Sequence, residues 1–407
     1  MEVISPYVCG LDVHKKSITA CILTPKQKEI RTFGTMTDDL WELVDWIQSF
    51  HCTHVAMEST GVYWKPIYNL LELEPNLKVL VVNAKHIKQV PGRKTDVKDA
   101  EWIAELLKHG LLSPSYIPNR EQRELRELVR YRRSMIEERA REANRIQKVL
   151  EGANIKLGVV ATNVLGVSGR LMMKEIINGE EDPVTLARLA KHQLKQKHDE
   201  LVRSLKGLIG PHQKMMIETQ LRHIEFLEEE IHLLDEEIKH RMAPFEKEIQ
   251  RIDTIPGIGR RTAEQIIAEI GTDMSRYASA DHLASWAGMV PGQNESAGKR
   301  KSSHTRKGNR YLRSALVESA TSCIRVKDGY LTARYKRLAL RRGTKRARMA
   351  IAHRLLVIVY HLLTRKEDYK ELGFQHFEKE KEEHKKKQAV KELEKLGFQV
   401  TIEPKLA

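Results

Sequence analysis

The stretch YVCGLDVHKKSITACILT, residues 7–24, decides the fold of the first part of the chain. Its two apolar, β-branched runs, 7–13 and 17–24, are separated by a short polar break, which is typical of paired antiparallel strands. A third run of the same kind, EIRTFGT at 29–35, extends this pattern. The sequence therefore predicts a three-stranded antiparallel meander.

Helical and strand-like patterns alternate after the meander. A predicted helix over about 38–50 has an apolar face made of Leu40, Leu43, Val44 and Ile47. The following elements are a strand HVAME (54–58), a helix that begins near Trp64 and a strand KVLVV (78–82). This order predicts a mixed α/β sheet, and the ribonuclease-H-like fold has this order of elements.

Composition and net charge indicate what kind of protein this is and which partner it binds. The chain has 407 residues, 31% of them charged, and a formal net charge of +15. This surplus of positive charge favours a nucleic-acid partner. No apolar run reaches the roughly 18 residues of a membrane span, and the N-terminal residues lack the pattern of a secretory signal. The four cysteines form no C-x-x-C pair, which indicates reduced thiols in the cytoplasm.

Shifts in composition predict four regions. They are an α/β domain at 1–118, a helical and coiled-coil region at 119–250, a mostly helical domain at 251–365 and a charged helical tail at 366–407. The second region holds a long Arg-rich helix over 119–155 and another over about 212–242. On the latter, an apolar stripe from Ile217 to Ile238 predicts a coiled-coil seam. We expect the seam to bind another copy of the chain, with an intramolecular hairpin as the alternative.

Four carboxylates are placed where a metal site could form. Asp12 lies in an apolar strand, Glu58 ends a later strand, and Asp96 and Asp99 lie on one face of the first turn of a predicted helix. Hard divalent ions take such oxygen ligands and can activate phosphoryl transfer. Each acid also has a structural interpretation. Asp96 could cap the helix with Asp99 in its first turn, Glu58 could pair with a lysine, and Asp12 could pair with Lys15 or His14.

A basic loop carries a candidate nucleophile. In PGQNESAGKRKSSHTRKGNRYLR (291–313), Ser296 is followed by two small residues and then by cations without any acid. A serine hydroxyl can attack phosphorus where basic groups or a metal favour its ionisation. The same composition is typical of a phosphate-contacting loop without chemistry, and Ser302 and Ser303 are rival nucleophiles. The cations predicted to contact nucleic acid are Lys299, Arg300, Lys301, Arg306, Lys307, Arg310 and Arg313.

Two further elements predict contacts with phosphates. The segment TIPGIG (254–259) between two helical patterns is similar to a helix-hairpin-helix, in which Gly257 and Gly259 would let backbone amides bind a phosphate. An ordinary helix–helix turn is the alternative. A basic helical stretch follows at 336–354, and it has no acidic residue. Its predicted phosphate contacts are Arg341, Arg342, Lys345 and Arg346.

Together these motifs resemble a known family. GLDVHKKS, AMESTGVYW and GRKTDVKDA, followed far downstream by PGIG, SWAGMVPGQNESAGK and KGNRYLR, are similar to the insertion-sequence transposases of the DEDD–serine type. These are the bridge-RNA-guided recombinases of bacteria and archaea, and the resemblance spans roughly 7–365. The family's Ser-Gly-Gly-Lys loop is Ser-Ala-Gly-Lys here.

The resemblance implies a fold and a mechanism. It implies a RuvC-like DEDD domain, a coiled coil and a transposase domain with a serine nucleophile. Carried over by position, Asp12, Glu58, Asp96 and Asp99 would hold Mg²⁺, for which Mn²⁺ could substitute, and Ser296 would attack DNA. The family also implies a tetramer in which the acids and the serine come from different subunits. A structured noncoding RNA would read the donor and target DNAs by base pairing.

Two other functions remain open at this point. One is a RuvC-like, metal-dependent nuclease of the junction-resolvase type, which hydrolyses DNA without a covalent intermediate. The other is a nucleic-acid-binding structural protein whose carboxylates only cap helices. A covalent protein–DNA adduct would be formed by the recombinase and by neither alternative.

Overall fold

A computed structural model describes residues 3–59, 61–83, 96–292, 295–296, 299–300, 305, 307–397 and 399–401. Within these ranges, 96–98, 295–296, 299–300 and part of the last helix are described by their backbone alone. The chain forms two compact units, Met1–Asn119 and Arg120–Ala407.

The first unit is built on a five-stranded mixed sheet with the strand order β3-β2-β1-β4-β5. β1, β2 and β3 pair antiparallel, whereas β1, β4 and β5 run parallel. The strands are β1 (Val8–Val13), β2 (Ile18–Leu23), β3 (Lys28–Phe33), β4 (His54–Glu58) and β5 (Lys78–Val82). The helices are α1 (Thr37–Ser49), α2 (Trp64–Leu71) and α3 (Asp96–Lys108).

Helices cover both faces of this sheet. α1 and α2 pack on one face, and the predicted apolar face of α1 is buried there. α3 packs on the other face through Ala100, Ile103 and Ala104. The mixed α/β sheet and its elements are confirmed, and the arrangement is compatible with a ribonuclease-H-like domain.

The second unit is mostly helical. Its longest helices are α4 (Arg120–Gly152) and α9 (Pro211–Met242), with short helices between them: α5 (Leu157–Val160), α6 (Val167–Asn178), α7 (Pro183–Arg188) and α8 (His198–Ser204). Next come α10 (Glu246–Asp253), α11 (Arg260–Ile270), α12 (Ala280–Trp286), β6 (Glu295–Ser296) and β7 (Lys299–Arg300). The chain then continues through α13 (Arg310–Cys323), α14 (Tyr330–Arg342), α15 (Thr344–Arg365) and α16 (Gly373–Lys395).

The two long helices pack against each other as an antiparallel pair. The start of α9 clusters with the end of α4, since Ile217 joins Ile146 in one apolar cluster. The end of α9 clusters with the start of α4, where Ile238 joins Val129. The predicted seam consists of seven residues of α9. Leu234 is partly buried, and the other six are buried: Ile217, Leu221, Ile224, Leu227, Ile231 and Ile238.

The expectation that this seam binds another copy of the chain is therefore wrong. An apolar stripe at helical spacing predicts that the helix has a partner, but it does not say which helix the partner is. Here the partner is α4 of the same chain, and the intramolecular alternative is the correct one.

The largest apolar core of this unit is formed by the start of α4, the end of α9 and helices α10–α15. α15 is long and apolar enough to cross a membrane by length and composition alone. Eight of its residues are buried, and seven of these, including Ile351, Leu355 and Val359, belong to that core. Its apolar character is thus accounted for by packing inside a folded unit.

The tail is attached to this core where it begins. The Tyr369 amide donates to Thr254 Oγ1 (3.0 Å), and the Tyr330 amide donates to Glu371 Oε1 (2.8 Å). The start of the tail is therefore fixed on the turn after α10 and on the start of α14. α16 follows as the predicted charged helix.

Candidate functional site

One candidate site lies in the first unit, at the ends of two neighbouring parallel strands. Leu11 of β1 pairs with Met57 of β4, so the next residues along the two strands are Asp12 and Glu58. Aligned residues of parallel strands point to the same face, and the strands are about 4.8 Å apart. The two carboxylates therefore start from adjacent positions on the face that α3 covers.

Gly10 determines how closely α3 can approach that face. A Cβ atom on residue 10 would lie 2.3 Å from the carbonyl oxygen of Ala100 and 2.5 Å from the amide nitrogen of Ala104. Only a glycine allows this approach, because no side chain separates the strand from the helix. The close approach brings the first turn of α3, with Asp99, next to the end of β1. The sequence analysis missed Gly10, although a glycine inside a strand signals such an approach.

The electrostatics of Asp12 show that the acids are clustered. Burial raises the pKa of the Asp12 carboxyl above its ordinary value, the neighbouring His14 opposes this shift, and Asp99 and Glu58 raise the pKa further. Asp12 therefore lies within range of both other charges. Its partner at 3.0 Å is His14 Nε2, so the predicted His14 pairing is confirmed. With this hydrogen bond in place, the charges of Glu58 and Asp99 still act on Asp12.

These oxygens suit a hard divalent ion. A cation placed among the three acids would offset the charges of Glu58 and Asp99 that act on Asp12. In the described part of the chain, no three His, Cys, Asp or Glu side chains form a ready-made ligand group. The side chain of Asp96, the fourth predicted ligand, lies outside the described residues, although α3 begins at Asp96 as expected. Metal ligation by the four acids stays a prediction.

A separate candidate site in the other unit is a small hairpin. Ser296 of β6 pairs with Lys299 of β7, and Glu295 pairs with Arg300. The base of the hairpin is closed by a bridge between Pro291 and Thr305. The candidate serine thus lies on an arm between α12 and α13. Four predicted residues, Lys301, Ser302, Ser303 and Arg306, lie outside the described residues.

The chain that leads from the hairpin to α13 is held in place by close packing. A Cβ atom on Gly308 would lie 2.3 Å from the amide nitrogen of Gly288, so the two backbones are in contact. Asn309 then caps α13, with Oδ1 accepting from the amides of Tyr311 and Leu312 (both 3.1 Å). The motif KGNRYLR therefore starts with a structural anchor for the arm.

A buried acid that the sequence analysis missed holds this anchor. Asn309 Nδ2 donates to Glu269 Oε2 (2.5 Å), and Glu269 is 1% exposed. Arg130 donates to both oxygens of the same carboxylate at 2.7 Å. Arg126 Nη2 also donates to its backbone oxygen (2.7 Å). The signal was present in IIAEI (266–270), where an acid stands in an apolar helix and needs a cation.

The regions that contain the acids and the hairpin each match a known family. Residues 9–155 match the transposase family of the DEDD type named for IS110, and residues 249–336 match a family described as transposase of the IS116/IS110/IS902 family. The two matches together cover more than half of the chain. The chain belongs to the IS110 family of transposases.

Relatives of this transposase match over most of their length at low identity. The transposase for insertion sequence element IS1111A of Coxiella burnetii is 25% identical over 370 residues, which is 89% of this chain and 91% of the relative. A pilin gene-inverting protein of Moraxella bovis is 25% identical over 373 residues, which is 87% of this chain and 94% of the relative. The family consists of enzymes that recombine DNA, and its DEDD members generally use divalent metal ions.

The predicted helix-hairpin-helix of this transposase is a pair of short helices, α10 and α11, joined by 254–259. Gly257 has a φ of +86°, and a Cβ atom on it would lie 2.5 Å from the amide nitrogen of Cys323 in α13. Gly257 thus lies against α13. Gly259 precedes the first residue of α11, and a Cβ atom there would be in open space. Phosphate binding at this turn stays a prediction.

The other predicted contacts of this transposase are on the surface. Lys307 and Arg310 are exposed, and the Arg310 guanidinium lies 4.7 Å from the centre of the Tyr311 ring. Arg313 is half-buried. The four cations at the junction of α14 and α15 are all exposed: Arg341, Arg342, Lys345 and Arg346.

Proposed function

We propose that this transposase cuts and rejoins DNA through a covalent bond between Ser296 and a DNA phosphate. Asp12, Glu58, Asp96 and Asp99 hold Mg²⁺ for this reaction, and Mn²⁺ can replace it. The observation that carries the proposal is the clustering of Asp12, Glu58 and Asp99 where β1 and β4 end. Carboxylates that repel one another are costly to bring together, and a cation bound among them would offset that cost.

The acids and His14 prepare the site for the metal. When bound, Mg²⁺ polarises the scissile phosphate and favours ionisation of an attacking hydroxyl. The half-buried position of Asp12 limits competition from water for its oxygens, and His14 at 3.0 Å orients the carboxylate. The close packing of Gly10 on Ala100 fixes α3, and with it Asp99, relative to β1.

The serine exchanges one phosphodiester for another. Ser296 Oγ gives up its proton and bonds to phosphorus, while the bond from phosphorus to the 3′ oxygen breaks and that oxygen takes up a proton. A 3′-hydroxyl of a second DNA then attacks the phosphoserine, which returns the proton to Ser296. Lysine and arginine next to the reacting phosphate would stabilise the charge that develops, and loss of one such contact costs about a hundredfold in rate. The number of phosphodiester bonds is conserved, so no nucleotide hydrolysis is needed.

The partners follow from the same proposal. The enzyme acts in the cytoplasm on a donor and a target DNA, and its charge of +15 favours both. A structured noncoding RNA selects the DNAs by base pairing, so the protein needs few contacts that read bases. The working form is a homo-oligomer, a dimer to a tetramer, in which the acids of one copy act with the serine of another.

Strand exchange by variants tests this proposal. With DNA, RNA and Mg²⁺, Asp12→Asn and Ser296→Ala should each yield no recombinant product, whereas Asp45→Asn, which changes an exposed acid of α1, should match the wild type. An equimolar mixture of the two inactive variants should regain product, because each supplies what the other lacks. Wild-type recombination by Asp12→Asn, or by the wild type in excess EDTA, would contradict the metal role. A mixture that stays inactive would contradict the shared use of subunits.

A further inference from the structure

A cleft in the second unit lies directly beside the base of the serine arm. It has a volume of about 610 Å³ and is formed by α14, α15 and the chain on both sides of the hairpin. Pro291 and Thr305, whose bridge closes the hairpin, both line it. A ligand in this cleft therefore lies next to the base of the hairpin that carries Ser296.

One part of the cleft, which we call its floor, is apolar. Met289, Leu338 and Met349 line it, together with small alanines of α15. Leu338 and Met349 are only partly buried, so part of their apolar surface remains open to a ligand. Such a surface favours a flat, apolar group, and methionine adapts well to aromatic rings.

The other part of the cleft is strongly basic. Arg342, Arg346 and Arg354 line it, and no carboxylate in the described part of the chain forms an ion pair with any of them. The Arg354 Nε is buried and has no hydrogen-bond partner among the described residues. A buried donor without an acceptor costs free energy until a ligand provides one.

His353 lines the cleft, and its pKa is affected by the charged groups around it. Burial lowers the pKa of His353 below its ordinary value, and the neighbouring Arg354 and Arg334 lower it further, against the opposing charge of Asp281. Four arginines are among the described residues that line the cleft, whereas no acid is. An anionic group is the ligand that the basic side requires.

We propose that this cleft binds one unstacked nucleotide of the DNA strand that approaches Ser296, with its base on the apolar floor and its phosphate on Arg342, Arg346 and Arg354. This inference rests on the proposed function, since it assigns a place to the strand that the serine attacks. A volume of several hundred cubic ångströms suits a nucleotide, and a base taken out of its stack pairs best with an apolar pocket. Holding a base beside the arm would fix which phosphate reaches the serine.

Binding of a short single strand to full-length Ser296→Ala protein tests the cleft without any chemistry. The probe is a 12-nucleotide DNA with 2-aminopurine at one position, and its partner probe has an abasic site there. We expect a change in 2-aminopurine fluorescence on binding, and about tenfold weaker binding of the best-placed abasic probe. A matching RNA probe should show a smaller dependence on the base.

Matched variants locate the effect. Leu338→Glu places a charge on the floor and should abolish the fluorescence change, whereas Leu340→Glu, two positions along α14 at a side chain 90% exposed, should leave it unchanged. Arg346→Gln should weaken binding several-fold more than Lys336→Gln, which removes one exposed charge outside the cleft. If Leu338→Glu does not fold, Ala350→Phe fills the same space with an apolar ring and should also abolish the signal.

Three results would overturn the inference. They are equal effects of Leu338→Glu and Leu340→Glu, no dependence on the base in any position, and dependence on the base with RNA alone. Each can occur whether or not Ser296 forms a covalent bond. Because these measurements use a protein without the serine, failure of the cleft and failure of the serine mechanism are distinguished.

Discussion

Gly10 and Ala100 lie in backbone contact: a Cβ atom on residue 10 would be 2.3 Å from the Ala100 carbonyl oxygen. This contact packs α3 directly on β1. It places the helix that begins with Asp96 and Asp99 over the strand that carries Asp12. The geometry of the acids thus depends on a residue that carries no chemistry.

Gly10→Ala should displace α3 and inactivate the enzyme. The added methyl meets backbone atoms, which cannot move as a flexible side chain does, and overpacking of this kind costs about 1–3 kcal/mol. We expect a lower melting temperature and loss of most DNA cleavage. Gly152→Ala is the matched control, because a Cβ atom there meets nothing within 4 Å and alanine favours helices. Equal effects of the two variants on melting and cleavage would refute the role of Gly10.

Divalent metal should stabilise the first unit through its acids. Mg²⁺ binds the folded site and relieves the repulsion among Asp12, Glu58 and Asp99, so the melting temperature should rise with its concentration. Asp12→Asn should be at least as stable as the wild type in EDTA, since it removes one repelling charge. It should show little rise when Mg²⁺ is added. If calorimetry shows an equal rise in melting temperature for the wild type and Asp12→Asn, the metal binds somewhere other than at these acids.

Charges in the seam of α9 should unfold the second unit and should not simply dissociate an assembly. Ile224 is fully buried and Ile231 is 7% exposed, so changing both to Lys places unpaired charges in a core. We expect a loss of several kcal/mol in the free energy of unfolding, on the order seen for buried polar substitutions. The matched control on the same helix is Phe226→Lys with Leu233→Lys, whose side chains are more than half exposed. If the variant with Ile224→Lys and Ile231→Lys stays folded and has a lower mass in light scattering, the seam binds another copy of the chain.

Removing the buried charge of Glu269 should loosen the anchor of the serine arm. Glu269→Gln leaves Arg130 without its anionic partner, and breaking a buried ion pair costs about 3–5 kcal/mol. Glu229→Gln on the exposed side of α9 should change stability by less than about 0.5 kcal/mol. Urea denaturation of both variants measures the difference. Equal stabilities would show that the carboxylate contributes nothing there.

Local patterns in the sequence were sufficient for much of the fold. Strand and helix patterns depend on the spacing of apolar residues, so β1–β5 and the long helices α4 and α9 were predicted close to their observed bounds. Asp12 was found because an acid in a buried strand requires an explanation. Partners in space could not be read in this way. The stripe on α9 did not reveal that α4 covers it, and the acid Glu269 did not reveal that Arg130 and Asn309 surround it.

The site was predictable to a smaller extent. The clustering of Asp99 with Asp12 depends on a helix packing on a strand through Gly10, which is a contact between segments about 90 residues apart. The basic cleft depends on the junction of α14 and α15 meeting the chain beside the hairpin. Both are products of tertiary packing, for which the sequence carries only weak local signals such as a glycine in a strand.

The central claim is that Ser296 forms a covalent bond with DNA. The most direct measurement is denaturing electrophoresis of the enzyme after incubation with labelled DNA, RNA and Mg²⁺, followed by mass spectrometry of the linked peptide. The account predicts an adduct on Ser296 that is absent from Ser296→Ala and retained by Ser302→Ala and Ser303→Ala. Cleaved DNA without any adduct, or an adduct that persists in Ser296→Ala, would contradict it.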